Sequence, residues 1–197
     1  MMLNVLKEVI KALDNSEVIS FPTETVMGLG VIYDDYEAYN RLNVIKRRPE
    51  DKPYSLMIPN VENVINYAFV NEQTQKIINK FLPGPLTILL PAKNNLPFWV
   101  THGTNVVGIR VPSHEITRNL LLAINKPLLV PSANRSGEKP CMNSKEVNTV
   151  FNCELDYIID GCAEGGIPST IIDLTSDEIK LIRQGEITLD MIKEALK

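Results

Sequence analysis

Leu3, Leu6, Val9, Ile10 and Leu13 recur at intervals of three and four, with Lys7, Glu8, Lys11 and Asp14 between them, so the chain opens on an amphipathic helix over residues 3–13. Residues 18–21 form a short apolar run stopped by Pro22, the pattern of a buried strand. A second helix begins near Asp35, carries Arg41, Leu42, Ile45 and Lys46, and ends near Pro49, because the residue before a proline is pushed out of the helical region. Apolar runs of strand length follow at 55–58, 86–90, 106–111, 128–130, 157–159, 170–174 and 179–182. Helical stretches fall between them at 61–68, 72–81, 115–124, 145–151 and 189–196, with Ser113, Ser144 and Thr188 placed as N-caps for the last three. Short strands interspersed with helices predict an α/β (α+β) domain around one mixed sheet. No internal repeat, low-complexity tract or Gly/Ser linker interrupts the pattern, so residues 1–197 read as one domain.

Composition narrows the class. With 197 residues, 44% hydrophobic and 22% charged, the chain can bury a sizeable core, which excludes disordered, collagen-like and coiled-coil readings. A formal charge of −4 argues against coating nucleic acid by bulk charge, although the average can conceal a local basic site. Neither the three cysteines nor the two histidines form a Cys-x-x-Cys or His-x-x-x-His pair, so no protein-built metal site is expected, and the cysteines read as buried free thiols in a reducing compartment. The first fifteen residues lack a signal-peptide pattern, and no run approaches the roughly 18 to 20 apolar residues of a membrane span, so the expected location is cytoplasmic.

Prolines mark many strand ends, among them Pro22, Pro53, Pro85, Pro112, Pro131 and Pro168. Each alone reads as a turn, yet stiff loops at strand ends are also where binding residues sit. Five segments could carry chemistry. Pro22-Thr-Glu-Thr-Val-Met-Gly-Leu-Gly30 offers two hydroxyls, a carboxylate and two glycines that permit close backbone approach, but it lacks the Lys-Ser/Thr ending of a Walker loop and reads equally as a Thr-rich turn. Residues 41–52 hold five basic residues against two acidic ones; a solvated helix C-terminus explains this, and so does a phosphate clamp built from Lys46 and Arg48. Arg110 interrupts the apolar run at 106–111; either it meets a carboxylate, of the protein or of a ligand, or alternation turns it to solvent. Ser132 and Asn134 stand two apart just past a strand end, suited to one ligand or to a local turn. Ser169 and Thr170 lead into a strand, and Arg183 is a lone cation near another strand end.

Together these segments have an order. PTETVMGLG, KRRP, PGPLT (83–87), VGIRVP, PSANRSG, STIIDL and LIRQG follow one another over residues 18–185 as they do in the YrdC/TsaC family, which the chain resembles. The resemblance implies a YrdC-like twisted mixed sheet with flanking helices and a large concave face. It implies synthesis of L-threonylcarbamoyl-AMP from L-threonine, bicarbonate and ATP with release of pyrophosphate, feeding the N6-threonylcarbamoyladenosine modification of tRNA at position 37. By the same resemblance Lys46 and Arg48 hold the ATP phosphates and act in catalysis, while Lys52, Ser132, Asn134 and Arg183 lie on the nucleotide side. Thr23, Arg110 and Ser169 fall on the threonine side, with Arg110 meeting the carboxylate. Mg²⁺ is expected to arrive with ATP, held by phosphate oxygens and water. Met27 stands where relatives usually carry an aromatic residue, and the sequence ends without the linker and C-terminal domain of the longer branch, so the short, single-domain type is expected.

Two other readings remain at this point. A double-stranded RNA or tRNA binder would extend a basic lining through Arg41, Arg47, Arg118, Arg135 and Lys139, against which stand few aromatics and the net charge. A carbamoyl-transfer domain of the HypF type would share the fold, but the zinc-finger-like and acylphosphatase segments that accompany it are not in this sequence.

Overall fold

The computed structural model describes residues 2–48 and 52–197; Pro49, at which the second helix is expected to end, lies outside them. In chain order the elements are α1 (Met2–Asp14), β1 (Ile19–Phe21), β2 (Gly28–Ile32), α2 (Tyr36–Lys46), β3 (Leu56–Met57), a 3-10 helix (Val61–Asn66), α3 (Glu72–Phe81), β4 (Leu86–Pro91), α4 (Phe98–Thr101), β5 (Val106–Arg110), α5 (Glu115–Ile124), β6 (Leu128–Leu129), α6 (Ser144–Phe151), β7 (Tyr157–Ile158), β8 (Thr170–Asp173), β9 (Lys180–Arg183) and α7 (Leu189–Glu194). The strands form one twisted sheet in the order β7-β1-β2-β6-β3-β5-β4-β8-β9. It is mixed: β1 with β7, β3 with β5 and β4 with β8 run parallel, and the other neighbours antiparallel.

Strand alternation distributes side chains to the two faces of this sheet. On one face Leu29 and Val31, Leu56, Leu129, Ile88, Leu90, Val107 and Ile109 join a core completed by Leu42 and Ile45 of α2, Ile77 and Ile78 of α3, and Val147 and Phe151 of α6. On the other face α1 and α5 bring Val9, Leu13, Leu120 and Leu121 onto Ile19, Phe21, Met57 and Leu128. No residue of β4, β5 or β8 belongs to this second cluster. Over those strands the sheet face is left open, and there Thr87, Arg110 and Ile171 line a cleft. Gly30 is required by the covered half: a Cβ there would stand 2.6 Å from the Phe21 ring.

Several expectations are corrected. Residues 28–32 form a strand and 98–101 a helical turn that apolar patterning alone did not separate from their surroundings. The stretch at 61–68 is a 3-10 helix, Val61–Asn66. The second helix starts on Asp35, whose carboxylate accepts from the Ala38 amide, but stops at Lys46 because Arg47 turns left-handed, with φ of 50°. Ser113 is not the cap of α5: His114 occupies that place and makes no side-chain cap bond. Ser144 is likewise inside α6, capped by Asn143, while Thr188 caps α7 as expected. Of the cysteines only Cys141 is buried; Cys153 and Cys162 are exposed, so the reading of three buried thiols fails for two. Among the described residues no helix is long and apolar enough to cross a membrane.

Candidate functional site

The cleft, about 160 Å³, opens over the uncovered strands. The loop between β1 and β2 lines it with Thr23, Thr25, Val26 and Met27, the segment after α2 with Arg48, Pro53, Tyr54 and Ser55, and the segment after β6 with Pro131 and Ser132. Thr87 of β4, Arg110 of β5, Ser169 before β8 and Arg183 of β9 complete it.

Arg110 is 8% exposed, and its charge finds the carboxylate its position demands. Nη2 donates to Glu24 Oε1 and to Thr25 Oγ1, both at 2.8 Å. Thr25 Oγ1 lies 2.9 Å from Thr23 Oγ1, and the Thr23 hydroxyl donates to Val26 O at 2.7 Å while accepting from the Thr25 and Val26 amides. Arg110 Nε and Glu24 Oε2 are buried without a hydrogen-bond partner, so the pair is joined through one guanidinium nitrogen only.

Across the cleft Arg183 donates from Nε and Nη2 to the Ser169 carbonyl at 3.0 and 2.8 Å, and from Nη2 to Ser169 Oγ at 3.1 Å. Ser169 Oγ is in turn 2.9 Å from Thr87 Oγ1. Burial and the nearby Arg110 charge lower the Arg183 pKa, which is the cost of holding two guanidiniums over one cleft. Gly185 lets the segment after β9 lie on residues 168–170: a Cβ there would meet Pro168 O and Thr170 N at 2.5 Å.

The third side is built differently. Lys46, 2% exposed, donates from Nζ to Ser132 O at 2.6 Å, Asn134 O at 2.8 Å and Asn134 Oδ1 at 3.2 Å. An ammonium has three donors, and all three are taken by the loop after β6. Burial, then the Arg48 charge, pushes the Lys46 ammonium down to about 7. Asn134 Oδ1 also accepts from Ser132 Oγ at 2.6 Å, and its Nδ2 donates to the Arg135 and Glu138 carbonyls, so Asn134 closes the same loop. Arg48 lies 4.4 Å over the Tyr54 ring and donates to the Lys52 and Pro53 carbonyls at 2.7 and 2.9 Å.

Six residues singled out from sequence thus meet around one cleft: Thr23, Arg48, Arg110, Ser132, Ser169 and Arg183. Lys46 and Asn134 stand behind its wall, and the exposed Lys52 is tied to the site through its carbonyl. Sequence reasoning did not assign Glu24, Thr25, Tyr54 or Thr87. Glu24 was findable as the partner that a buried Arg110 requires, and Thr87 as the polar member of the apolar run 86–90. Of the residues considered for an RNA-binding lining, Arg41 is bonded to Asp156 and the buried Arg135 to Glu154 and the Ile45 carbonyl. Among the described residues no three of His, Cys, Asp and Glu stand where they could hold a metal ion.

Against known proteins, the profile of the Sua5/YciO/YrdC family, described as "Telomere recombination", matches residues 11–185. The threonylcarbamoyl-AMP synthase of Pyrococcus abyssi is 35% identical over 182 residues, covering 91% of this chain and 54% of that protein. The threonylcarbamoyl-AMP synthase of Yersinia pestis is 36% identical over 185 residues, covering 92% of this chain and 96% of that one. This chain therefore spans about half the length of the Pyrococcus relative and nearly all of the Yersinia one. The crystal structure of P. abyssi Sua5 complexed with L-threonine superposes with a TM-score of 0.93 at 32% identity, over 100% of this chain and 58% of that chain. A HypF structure, at 23% identity and a TM-score of 0.81 over 92% of this chain and 29% of its own, shares the fold.

Proposed function

The chain belongs to the Sua5/YciO/YrdC family, and from that premise we propose that it is a threonylcarbamoyl-AMP synthase, a nucleotidyltransferase acting on L-threonine, bicarbonate and ATP. The observation that carries the reading is the lining of the cleft: three guanidiniums, from Arg48, Arg110 and Arg183, with the hydroxyls of Thr23, Thr25, Thr87, Ser132 and Ser169, and no His, Cys or Lys among the lining residues described. Such a site can bind and neutralise anions without offering a nucleophile–base pair. Threonylcarbamoyl-AMP synthesis needs that and little more. The threonine amine and bicarbonate give a carbamate and water; a carbamate oxygen attacks the α-phosphorus of ATP, and the bond to pyrophosphate breaks. Positioning and charge stabilisation supply the catalysis.

In this reading Arg48, Ser132 and Arg183 face the nucleotide, with Lys46, Lys52 and Asn134 on the same side; Arg48 carries its phosphates, and Lys46 joins it only by giving up one of its three acceptors in the 132–134 loop. Thr23, Arg110 and Ser169 hold threonine, Arg110 through the carboxylate. Among the described residues the carboxylate tied into the site, Glu24, is paired with Arg110, so Mg²⁺ would ride on phosphate oxygens and water. The product would serve tRNA threonylcarbamoylation by a downstream transferase in the cytoplasm, and residues 1–197 would act as one domain. The test is pyrophosphate release from ATP and Mg²⁺ that depends on both threonine and bicarbonate. Release that ignores either substrate, or none from folded protein, sinks the proposal.

A further inference from the structure

The two hydroxyl pairs facing the cleft differ by one proton. In the pair Thr23–Thr25 both are used: Thr23 donates to Val26 O, and Thr25, which accepts from Arg110, donates to Thr23. In the pair Thr87–Ser169 only one is used, in the 2.9 Å contact between the two oxygens. Arg183 brings its own proton and can only donate, so Ser169 Oγ is the acceptor in their 3.1 Å bond. A hydroxyl polarised by a cation is the stronger donor, which directs the Ser169 proton to Thr87 Oγ1. The Thr87 proton then has no acceptor among the described residues. Thr87 is fixed for such a role. It lies on β4, 2% exposed, one residue beyond the Ile88–Ile109 pair and so alongside Arg110 on the open face, with Ser169 on its other side.

We propose that Thr87 is a substrate-binding residue whose hydroxyl donates to a carboxylate-type oxygen of the amino-acid substrate, between Arg110 and Ser169. The assignment rests on the synthase reading above. It makes the strand wall a three-point anion site, with a guanidinium on either flank of a neutral donor that also fixes orientation.

The test compares wild type, Thr87→Val and Thr87→Ser by steady-state pyrophosphate release. Valine keeps the methyl that packs beside Gly108 and removes the hydroxyl; serine keeps the hydroxyl. Loss of a hydrogen bond to a charged acceptor should raise the threonine KM about tenfold or more in Thr87→Val, leave the ATP KM within about twofold, and be largely reversed in Thr87→Ser. A threonine KM that stays within about twofold, an equal rise in both KM values, or no rescue by serine overturns the assignment. If wild type releases no threonine-dependent pyrophosphate, the synthase reading falls, and calorimetric titration of wild type and Thr87→Val with L-threonine judges the hydroxyl separately: equal affinities, or no binding by wild type, overturn it.

Discussion

The cleft has a strand wall and a loop wall, and they hold their cations in opposite ways. Arg110 and Arg183 come from β5 and β9, whose backbones are fixed by ladder hydrogen bonds, and both guanidiniums reach into the cleft. Lys46 ends α2 beside the segment after β6, which leaves the sheet past the Gly28–Ser132 bridge and the bond from the Ala133 amide to Met27 O, and its ammonium is wholly engaged in holding that segment. A sheet supplies shape through its backbone, so its arginines reach the cleft while also holding Glu24, Thr25 and Ser169. A loop must be shaped by side chains, and a buried ammonium with three fixed acceptors is one way to do it. Arg48, two residues on, is the cation that this arrangement presents to the cleft.

The largest effect should come from breaking the pairing behind the strand wall. Glu24→Ala leaves Arg110 buried and unpaired, which should cost about 3–5 kcal/mol of unfolding free energy by denaturant titration. A loss below about 1 kcal/mol would mean that the guanidinium finds solvent or another acceptor, and that the wall does not need its carboxylate. Lys46→Met comes next, at about 2–3 kcal/mol, because three oxygens lose a charged donor together. Ser132 O keeps the Asn134 amide and Asn134 Oδ1 keeps Ser132 Oγ, while Asn134 O keeps no other donor among the described residues. A Lys46→Met protein that is as stable as wild type but fails to bind ATP would overturn the contrast, since Lys46 would then act on the ligand and not on the loop.

Arg48→Ala inverts that outcome. Removing a charge-assisted phosphate contact should weaken ATP binding by about 1.5–3 kcal/mol in calorimetry, with a smaller loss of stability than Lys46→Met shows. Unchanged ATP affinity would remove Arg48 from the nucleotide side.

The contrast between walls also marks where sequence was informative. The strand wall could be read because alternation is local: Leu86, Ile88 and Leu90 inward imply Thr87 outward, and an arginine in an apolar run implies a buried partner. The order of the seven motifs carried the fold and gathered six cleft residues. What sequence could not give was the direction of each side chain. Lys46 and Arg48 differ by two positions at a helix end, and whether one points under a loop and the other into a cleft depends on where residues 132–134, far along the chain, come to rest. The caps of α5 and α6 fall one residue from Ser113 and Ser144 for a similar reason: Asn143 caps as well as a serine does, His114 takes its place with no side-chain bond at all, and the backbone entering the helix decides.

The smallest step, on the order of 1 kcal/mol for each pH unit, is a dependence on pH peculiar to the loop wall. Burial and the Arg48 charge bring Lys46 down to about 7, while in the unfolded chain a lysine titrates near 10. Below about pH 7 both states carry the proton, and above about pH 10 neither does, so Lys46 contributes no slope in either region. Between them the unfolded chain binds more protons than the folded one, and unfolding free energy rises with pH by on the order of 1 kcal/mol per unit. Wild type and Lys46→Met share every other titrating group, so the difference between their unfolding free energies isolates the term. Measured from about pH 6 to pH 9, wild type should gain on the variant only above about pH 7. A difference that stays flat would mean that the three oxygens around Nζ hold the ammonium charged throughout.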